Sequence, residues 1–250
     1  MWKVCRNECI INTSINYNRG EQDSVGRGLR SILFDLDGTL TDPKEGITKS
    51  VEYALNKFDI QIEHLDMLLP YIGPPLYDSF IELHQFSEEQ ARQAVIFYRE
   101  RYSVVGLYEN RVIDGIPQLL EGLKNNGYSL YVATSKPTVF AEQILERYKL
   151  DHYFDHIGGS NLDGTRSKKK DVIQYVLDQN AILPEEAVMI GDREHDIIGA
   201  IGCGVESIGV TFGYGPKGEL EHAGADHIAY RVEEIAAIIQ HISLRERCAK

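Results

Sequence analysis

Ser31-Ile32-Leu33-Phe34-Asp35-Leu36-Asp37-Gly38-Thr39 begins the part of the chain that shows regular patterning. The apolar run stops at two aspartates on alternate residues and then a glycine, which is typical of a buried strand that ends where the acids begin. Asp35 is then expected at the carboxyl end of the strand, where parallel sheets place their ligand crevices. Because side chains alternate along a strand, Asp35 and Asp37 are predicted to point to the same side. Two close carboxylates repel each other unless a cation or a shared proton relieves them, so both a divalent metal and acid–base chemistry are candidates here.

The downstream pattern predicts an α/β fold, with a doubly wound parallel sheet as the core and an inserted all-helical domain. From residue 114 onward strands and helices alternate, which implies a parallel sheet covered by helices on both faces. Residues 47–108 show helical spacing without a strand pattern, so we expect a small helical cap domain at the mouth of the crevice. The core domain is then residues 31–46 and 109–250. Residues 1–30 show no sustained period and are expected to be a poorly ordered extension.

Composition and charge exclude several classes of protein. The 250 residues are 43% hydrophobic and 26% charged, an ordinary globular balance. The formal net charge of −12 argues against a nucleic-acid polymer as partner, because phosphate backbones are bound by a surplus of Lys and Arg. No apolar run approaches the roughly 18 residues of a membrane span. Four scattered cysteines without a C-x-x-C pair, and no signal-peptide core, predict a reduced cytoplasmic protein.

Three polar segments are expected at one edge of the sheet. They are Asp35–Thr39, Thr134–Ser135 and Gly191–Asp196, and each follows an apolar strand pattern. Taken singly, each has an ordinary explanation, since Asp192 could be a helix N-cap and the lysines within 167–170 a solvated helix start. Together these explanations weaken, because a parallel sheet brings its strand ends to one edge.

In these segments the chain resembles the haloacid dehalogenase (HAD) superfamily of phosphotransferases. The resemblance runs from residue 31 to about 242 and rests on four motifs in the family's order: Asp35-Leu36-Asp37-Gly38-Thr39-Leu40-Thr41-Asp42, Thr134, Lys169 and Gly191-Asp192 through Asp196. The helical insert looks like the C1 cap of this superfamily. Residues 72–76 and 159–166 resemble the branch of phosphoglycolate phosphatases and 5′-nucleotidases.

The resemblance implies roles in catalysis. Asp35 would attack phosphorus and form an aspartyl-phosphate, and Asp37 would protonate the leaving oxygen and then deprotonate the attacking water. Lys169 would neutralise the charge that develops during transfer, although Lys168 and Lys170 remain alternatives to it. The phosphoryl oxygens would be bound by Lys169 and by a group at the strand ends: Gly38, Thr134 and Ser135.

The resemblance also implies Mg²⁺ as the cofactor. Asp35, the backbone carbonyl of Asp37 and Asp192 would hold the ion, with waters completing its octahedron. Asp196 would support these ligands or bind the ion through water.

Asp37 favours phosphoryl transfer, because a dehalogenase attacks carbon and does not need this second aspartate as an acid. The predicted function is a Mg²⁺-dependent phosphatase for a small phosphorylated metabolite, a 5′-nucleotide or 2-phosphoglycolate. A sugar phosphomutase and a non-catalytic regulatory binding module remain alternatives. The cap is expected to choose the substrate, with Tyr71, Gly73 and Arg111 as candidate contacts, and the oligomeric state is left open.

Overall fold

The computed structural model of the chain describes residues 28–248, with side chains through residue 245. A six-stranded sheet in the order β5-β4-β1-β6-β7-β8 lies at its centre, and every pairing in it is parallel. Its strands are β1 (Ser31–Phe34), β4 (Ser129–Pro137), β5 (His156–Ser160), β6 (Ala187–Gly191), β7 (Glu206–Val210) and β8 (His227–Ala229). A separate antiparallel ribbon pairs β2 (Thr41–Asp42) with β3 (Arg111–Val112).

The described helices are nine α-helices and four short 3₁₀ turns. The α-helices are α1 (Lys44–Asn56), α2 (Leu76–His84), α3 (Glu88–Tyr102), α4 (Ile116–Asn125), α5 (Thr138–Arg147), α6 (Lys169–Gln179), α7 (Glu194–Cys203), α8 (Glu219–His222) and α9 (Val232–Cys248). The 3₁₀ turns are Leu65–Tyr71, Gly106–Tyr108, Asp151–Tyr153 and Pro184–Glu186. No helix in the described ranges is long and apolar enough to cross a membrane.

Alternating side chains of β1 supply two separate cores. Ile32 and Phe34 are buried in a cluster that includes residues of α4 and α9, whereas Leu33 is buried in a second cluster with residues of α6 and α7. A strand that buries both faces in this way lies inside a sheet covered by helices on both sides. The predicted doubly wound α/β fold is therefore confirmed.

The register of the central strands brings the polar segments together. Phe34 pairs with Val132 of β4 on one side and with Ile190 of β6 on the other. Both pairings are the last that β1 makes, whereas β4 and β6 continue farther in the same direction beside β5 and β7, so the ends of all three strands lie at the same edge of the sheet. Asp35, Thr134 and Asp192 are accordingly neighbours in space, as the strand-end argument predicts.

The regular elements between Lys44 and Tyr108 are all helices or 3₁₀ turns, and α1 packs against α3 and against the turn Leu65–Tyr71. The Ser87–Gln90 capping box that begins α3 has both of its hydrogen bonds. Helix α1 starts at Lys44, ahead of the boundary expected at residue 47, because the Asp42 carboxylate accepts the Lys44 backbone N–H at 3.1 Å. The division of the chain into core and cap stays a prediction.

Contacts with the core begin before strand β1, earlier along the chain than the sequence pattern indicates. Leu29 is buried, and the Arg30 backbone donates to Glu186 and accepts from Ser129 at 3.0 and 2.9 Å. The ordered core therefore begins before Ser31, within the segment expected to be a poorly ordered extension. The rest of that segment, residues 1–27, lies outside the described residues.

Candidate active site

Four buried carboxylates gather where β1 and β6 end. Asp35, Asp192 and Asp196 each offer one oxygen, and these three oxygens lie within 4.8 Å of one another. Asp35 and Asp37 follow β1, Asp192 follows β6, and Asp196 lies in the first turn of α7. Burial of so many acids in one place is costly unless cations or protons compensate them, so this cluster is a functional feature rather than a packing solution.

Lys169 is the cation that pairs with Asp35 and Asp196. Its Nζ lies 2.7 Å from Asp35 Oδ1, 2.7 Å from Asp196 Oδ1 and 3.1 Å from the Ala133 carbonyl. The adjacent Lys168 and Lys170 are exposed. Lys169 is buried because the first turn of α6 packs against α7, where Gly199 leaves room for its side chain. Of the three lysines in the run, the structure therefore brings Lys169 to the carboxylates.

Burial and mutual repulsion set the protonation of the cluster. Burial raises the pKa of Asp192 well above its usual range, and the Asp196 and Asp35 charges add to that rise. Burial also raises the pKa of Asp196, while Lys169 opposes the rise. Burial alone would lower the pKa of Lys169, but Asp196 and Asp35 raise it above its ordinary value. The site thus carries an excess of negative charge that a second cation would relieve.

Glycines form a close-fitting cradle around Asp192. A Cβ on Gly38 would lie 2.2 Å from Asp192 Oδ2, and one on Gly213 would lie 2.3 Å from the same oxygen. The Tyr214 backbone N–H donates to Asp192 Oδ2 at 2.7 Å, and the Thr39 hydroxyl lies 3.4 Å from Oδ1. The backbone φ of Gly38 is +83°, which favours glycine independently of the crowding. The predicted site residue Gly38 is therefore placed to position Asp192.

Asp37 has a different environment from the other three acids. Its Oδ2 lies 2.8 Å from Lys136 Nζ, and Lys136 Nζ also donates to the Tyr102 hydroxyl at 2.6 Å. Within the described residues Asp37 Oδ1 has no hydrogen-bond partner. Burial raises the pKa of Asp37, and Lys136 opposes that rise. The two aspartates of the first motif thus pair with different lysines: Asp35 with Lys169, and Asp37 with Lys136.

Lys136 is a site residue that the sequence analysis missed. It stands two residues after Thr134 in the same polar segment, and this closeness to Thr134 is the signal available in the sequence. Thr134 is buried, and its hydroxyl accepts the Lys136 backbone N–H at 3.2 Å. The Ser135 hydroxyl is a buried oxygen without a partner among the described residues, and Ser135 lines the cavity described next.

A cavity of about 550 Å³ lies between the helical insert and the strand ends. Asp37, Ser135 and Lys136 form part of its wall from the core side. The predicted contacts Tyr71 and Gly73 also line it. The Tyr71 hydroxyl is engaged with His84 Nδ1 at 2.8 Å, and a Cβ on Gly73 would lie 2.7 Å from Arg193 Cγ. Gly73 therefore lets the Arg193 side chain, just before α7, pack closely against the insert. Tyr71 lines the cavity, but its hydroxyl is already hydrogen-bonded to His84.

Arg111 is the predicted site residue that the structure does not bring to the others. Its side chain is 81% exposed and pairs with Asp42 across the β2–β3 ribbon at 2.7 Å. It does not line the cavity, whereas Arg92 and Arg99 of α3 do. Pairing with Asp42 holds Arg111 on the outer surface of the ribbon. Its proposed contact with substrate therefore has no support from the geometry.

The carboxylate cluster fits a divalent cation of the hard type. Its three oxygens are close enough to share one ion, and Mg²⁺ and Ca²⁺ both prefer oxygen ligands. The Asp37 carboxylate is not one of these three groups, and its Oδ2 pairs with Lys136, so the metal role expected of Asp37 stays with its backbone carbonyl. Asp196 supplies one of the three oxygens. The donor set is thus consistent with the expected metal residues.

The fold and the carboxylate site are those expected of a hydrolase, and comparison with known proteins establishes the family. A family model for haloacid dehalogenase-like hydrolases matches residues 32–210. The chain belongs to the haloacid dehalogenase-like hydrolase family. The predicted family and enzyme class, a phosphatase of this family, are confirmed by this match and by the relatives that follow.

Relatives within the family have different names. A 5′-nucleotidase of Pseudomonas aeruginosa is 51% identical over 206 residues, which cover 80% of this chain and 93% of that protein. A crystal structure of a predicted phosphatase from Clostridium acetobutylicum is 53% identical and superposes with a TM-score of 0.85, covering 86% of this chain and 99% of that one. Tyrosine-protein kinase PtkA of Mycobacterium tuberculosis is 38% identical over 192 residues, 77% of this chain and 65% of PtkA. The names of relatives therefore leave the substrate open.

Proposed function

We propose that this protein is a Mg²⁺-dependent phosphatase that hydrolyses small phosphate monoesters through an aspartyl-phosphate, with a 5′-nucleotide or 2-phosphoglycolate as the substrate class. One observation carries the proposal. Asp35 and Asp37 lie two residues apart, yet Asp35 faces the carboxylate cluster and Lys169 whereas Asp37 faces Lys136 and the cavity. Two carboxylates in such different environments are suited to different tasks, one as nucleophile and one as acid and base.

The first half of the reaction forms the aspartyl-phosphate. An Asp35 carboxylate oxygen attacks phosphorus, and the bond from phosphorus to the leaving oxygen breaks. Protonated Asp37 gives its proton to that leaving oxygen, which departs into the cavity as an alcohol. Lys169 balances the negative charge on the transferred phosphoryl group, and Thr134 and Ser135 are the hydroxyls proposed to bind its oxygens.

The second half releases phosphate. Asp37, now a carboxylate, takes a proton from a water molecule as that water attacks phosphorus, and the bond to Asp35 breaks. Inorganic phosphate leaves, and both aspartates return to their starting states. Bound Mg²⁺, held by Asp35, Asp192 and the Asp37 carbonyl with Asp196 beside them, would supply positive charge next to the phosphoryl oxygens.

The proposed cap is the insert, residues 47–108, which supplies one wall of the cavity. A wall of this kind excludes water from the reacting atoms and contacts the leaving group. The small metabolite partner and the cytoplasmic location remain parts of this proposal. Fractionation of cells that express the full chain would test the location.

The test of the reaction is phosphate release from p-nitrophenyl phosphate with Mg²⁺. Asp35→Asn keeps the shape of the side chain but is not nucleophilic, so its rate should fall by more than about a thousandfold. Asp151→Asn is the matched control, since Asp151 is exposed and does not belong to the cluster. Full activity in Asp35→Asn would overturn the nucleophile assignment.

A phosphomutase would use the same first half-reaction. It would return the phosphoryl group to the sugar product, so that sugar phosphates would isomerise without net phosphate release. Assaying phosphate and isomer in the same reaction separates the two functions. No turnover on any phosphate ester of a broad panel would favour a non-catalytic binding module.

A further inference from the structure

The wall of the cavity next to Lys136 and Asp37 is made of tyrosines from α3. Tyr102 and Tyr98 lie one helical turn apart, and their rings stack with centroids 5.0 Å apart and planes 16° from parallel. The Tyr102 hydroxyl is engaged with Lys136 Nζ, which also pairs with Asp37. Tyr98 is therefore the next side chain along the path that leads from the proposed acid into the cavity.

The Tyr98 hydroxyl is an unused hydrogen-bonding group in this wall. Tyr98 is only 4% exposed and lines the cavity, yet within residues 28–245 its hydroxyl forms no hydrogen bond. The hydroxyl is not among the fully enclosed unpartnered atoms of the described residues, so a molecule in the cavity can reach it. Burial raises the pKa of Tyr98, so the hydroxyl stays protonated and can donate. The Tyr98 hydroxyl is therefore available to hydrogen-bond a molecule bound in the cavity.

The charges around the cavity indicate what kind of molecule that is. Each cationic side chain that lines the cavity in the described part of the chain already has a partner: Lys136 pairs with Asp37, Arg92 pairs with Glu88, and Arg99 donates to the Leu162 carbonyl. The acids Asp37, Asp78, Glu88 and Asp163 also line it. The partner of Arg99 is a neutral carbonyl, but the four acids in the lining outnumber its three cations, so an uncharged leaving group is favoured over a carboxylate.

The size and apolar surface of the cavity further restrict the kind of leaving group that it fits. About 550 Å³ is far more than the two-carbon acid of phosphoglycolate fills and falls in the range of sites for larger organic ligands. Apolar side chains contribute to its walls, among them Leu76, Val95, Ile96 and Phe140. A leaving group with a flat apolar part as well as hydroxyls uses both kinds of surface.

We propose that Tyr98 determines specificity by hydrogen-bonding the leaving group, and that this group is an uncharged, hydroxyl-bearing alcohol of nucleoside type. The proposal rests on the phosphatase function proposed above and selects between its two substrate classes. Tyr98 acts on the choice of leaving group and not on the phosphoryl transfer itself, which belongs to Asp35 and Asp37.

The experiment pairs removal of the hydroxyl from the protein with its removal from the substrate. The four common nucleoside 5′-monophosphates, their 2′,3′-dideoxy counterparts, p-nitrophenyl phosphate and 2-phosphoglycolate are compared by kcat/KM in wild type and Tyr98→Phe. We expect wild type to prefer at least one ribonucleotide over its dideoxy counterpart by about tenfold. Tyr98→Phe should lose that preference, and its kcat/KM for p-nitrophenyl phosphate should fall less than its kcat/KM for that ribonucleotide.

Controls separate this role from a structural one. Tyr53→Phe removes a hydroxyl that bonds Glu100 and does not line the cavity, so it should change no substrate preference. A structural role for Tyr98 would lower Tm and reduce the rate on every ester equally, including p-nitrophenyl phosphate. Either that outcome, or an unchanged ribonucleotide preference in Tyr98→Phe, overturns the specificity role.

The remaining outcomes are also decisive. A wild-type kcat/KM for 2-phosphoglycolate above that for every nucleotide overturns the proposed leaving group but leaves the phosphatase function standing. No hydrolysis of p-nitrophenyl phosphate by wild type with Mg²⁺ defeats the phosphatase function itself. The two failures are therefore distinguishable in one set of assays.

Discussion

Asp192 depends on the backbone around it more than on any side chain. Gly38 and Gly213 both leave the space that its carboxylate occupies, and Tyr214 donates to it through the backbone N–H. These contacts fix one carboxylate of the cluster at the end of β6. The consequence is that a single methyl group at either glycine should displace the proposed metal ligand.

Gly213→Ala tests this dependence. The new Cβ would lie 2.3 Å from Asp192 Oδ2 and 2.4 Å from its Cβ, so the carboxylate must move. We expect the rate of p-nitrophenyl phosphate hydrolysis to fall about a hundredfold, the size of loss that a displacement near 1 Å produces. The measurement is kcat/KM over a range of Mg²⁺ concentrations, where the apparent affinity for Mg²⁺ should also fall.

Gly122→Ala is the matched control for that substitution. Gly122 lies inside α4 and a Cβ there meets nothing within 4 Å. Alanine should leave activity unchanged and stabilise the protein by roughly 0.5–1 kcal/mol, the helix-interior difference between the two residues. Equal activity of the two variants would contradict the role assigned to Gly213.

The residues that the sequence indicates and those that it misses differ in a physical way. Asp35 and Asp192 follow apolar runs that stop at an acid, whereas Lys169 is indicated only by the family resemblance. Gly213 and Tyr98 acquire their significance only from contacts across the fold, with Asp192 and with the cavity. The helical period marks Tyr98 only as a buried position of α3, and nothing local marks Gly213, so a single sequence gives no reason to select either as a site residue.

At the level of elements, α3 contacts the other side of the cavity through Tyr102, which accepts from Lys136, and through Arg99. Arg99 Nη1 donates to the Leu162 carbonyl at 2.7 Å, and both residues line the cavity. The loop that carries Leu162 is tightly bonded within itself, with Asn161 joined to Thr165 by backbone and side-chain hydrogen bonds at 3.0 and 2.8 Å. A contact between α3 and a firm loop should hold the two cavity walls together.

Arg99→Met tests that contact. The substitution keeps the apolar length of the side chain but removes a charge-assisted hydrogen bond between the walls. We expect KM for p-nitrophenyl phosphate to rise about three- to tenfold while kcat changes less than about twofold, because the reacting groups stay in place. Arg231→Met, which removes an exposed ion pair with Glu234, should leave both constants unchanged. An unchanged KM in Arg99→Met would show that the walls do not need this bond.

The insert also contains a hydrogen bond to a histidine, whose protonation depends on pH. His84 Nδ1 is bonded to the Tyr71 hydroxyl, and burial lowers the pKa of His84 below its ordinary value of 6.5. Between the folded and unfolded pKa values the unfolded state binds more protons, so stability rises with pH. The stabilising effect of neutral His84 is therefore complete above pH 6.5 and is lost as pH falls below it.

His84→Gln should weaken that pH dependence. The variant has no imidazole to protonate, so its Tm should fall less than that of wild type between pH 7.5 and 5.5. His241→Gln, at an exposed position of α9, is the control and should follow wild type. A His84→Gln protein whose Tm falls as steeply as that of wild type would assign the acid sensitivity to other groups.

Element boundaries could be predicted where periodicity is long and not where pairing is short. Helices α2 and α3 follow sustained patterns with recognisable starts, including the Ser87 cap. The β2–β3 ribbon has two residues in each strand, which is too few for alternation to be visible. It forms because Arg111 pairs with Asp42 after the insert returns the chain to the core.

At the scale of the whole molecule, repulsion within the carboxylate cluster affects the stability of an already acidic protein. The chain carries a formal net charge of −12, and Asp35, Asp192 and Asp196 are buried together with Lys169 as their close cation. Repulsion among these acids opposes folding, and a bound divalent cation would relieve it in the folded state only. Mg²⁺ should therefore stabilise the protein without any substrate present.

The size of that stabilisation follows from mass action. At a Mg²⁺ concentration 100 times its Kd the folded state gains about 2.7 kcal/mol, which for a domain of this length raises Tm by roughly 5–10 °C. Thermal unfolding in EDTA and in excess Mg²⁺ measures the shift. Asp192→Asn removes one charged ligand, so it should abolish most of the shift. The same variant should unfold at a higher temperature than wild type in EDTA, because it removes one of the repelling charges.

The Tm shift with Mg²⁺ and the Tm in EDTA test different features of the site. A Tm shift with Mg²⁺ that survives in Asp192→Asn would place the ion elsewhere and would separate the carboxylate cluster from metal binding. A lower Tm of Asp192→Asn in EDTA would mean that the Tyr214 and Thr39 contacts to Asp192 outweigh repulsion by Asp35 and Asp196. Because neither reading uses catalysis, the experiment tests the proposed metal site independently of the substrate on which the enzyme acts.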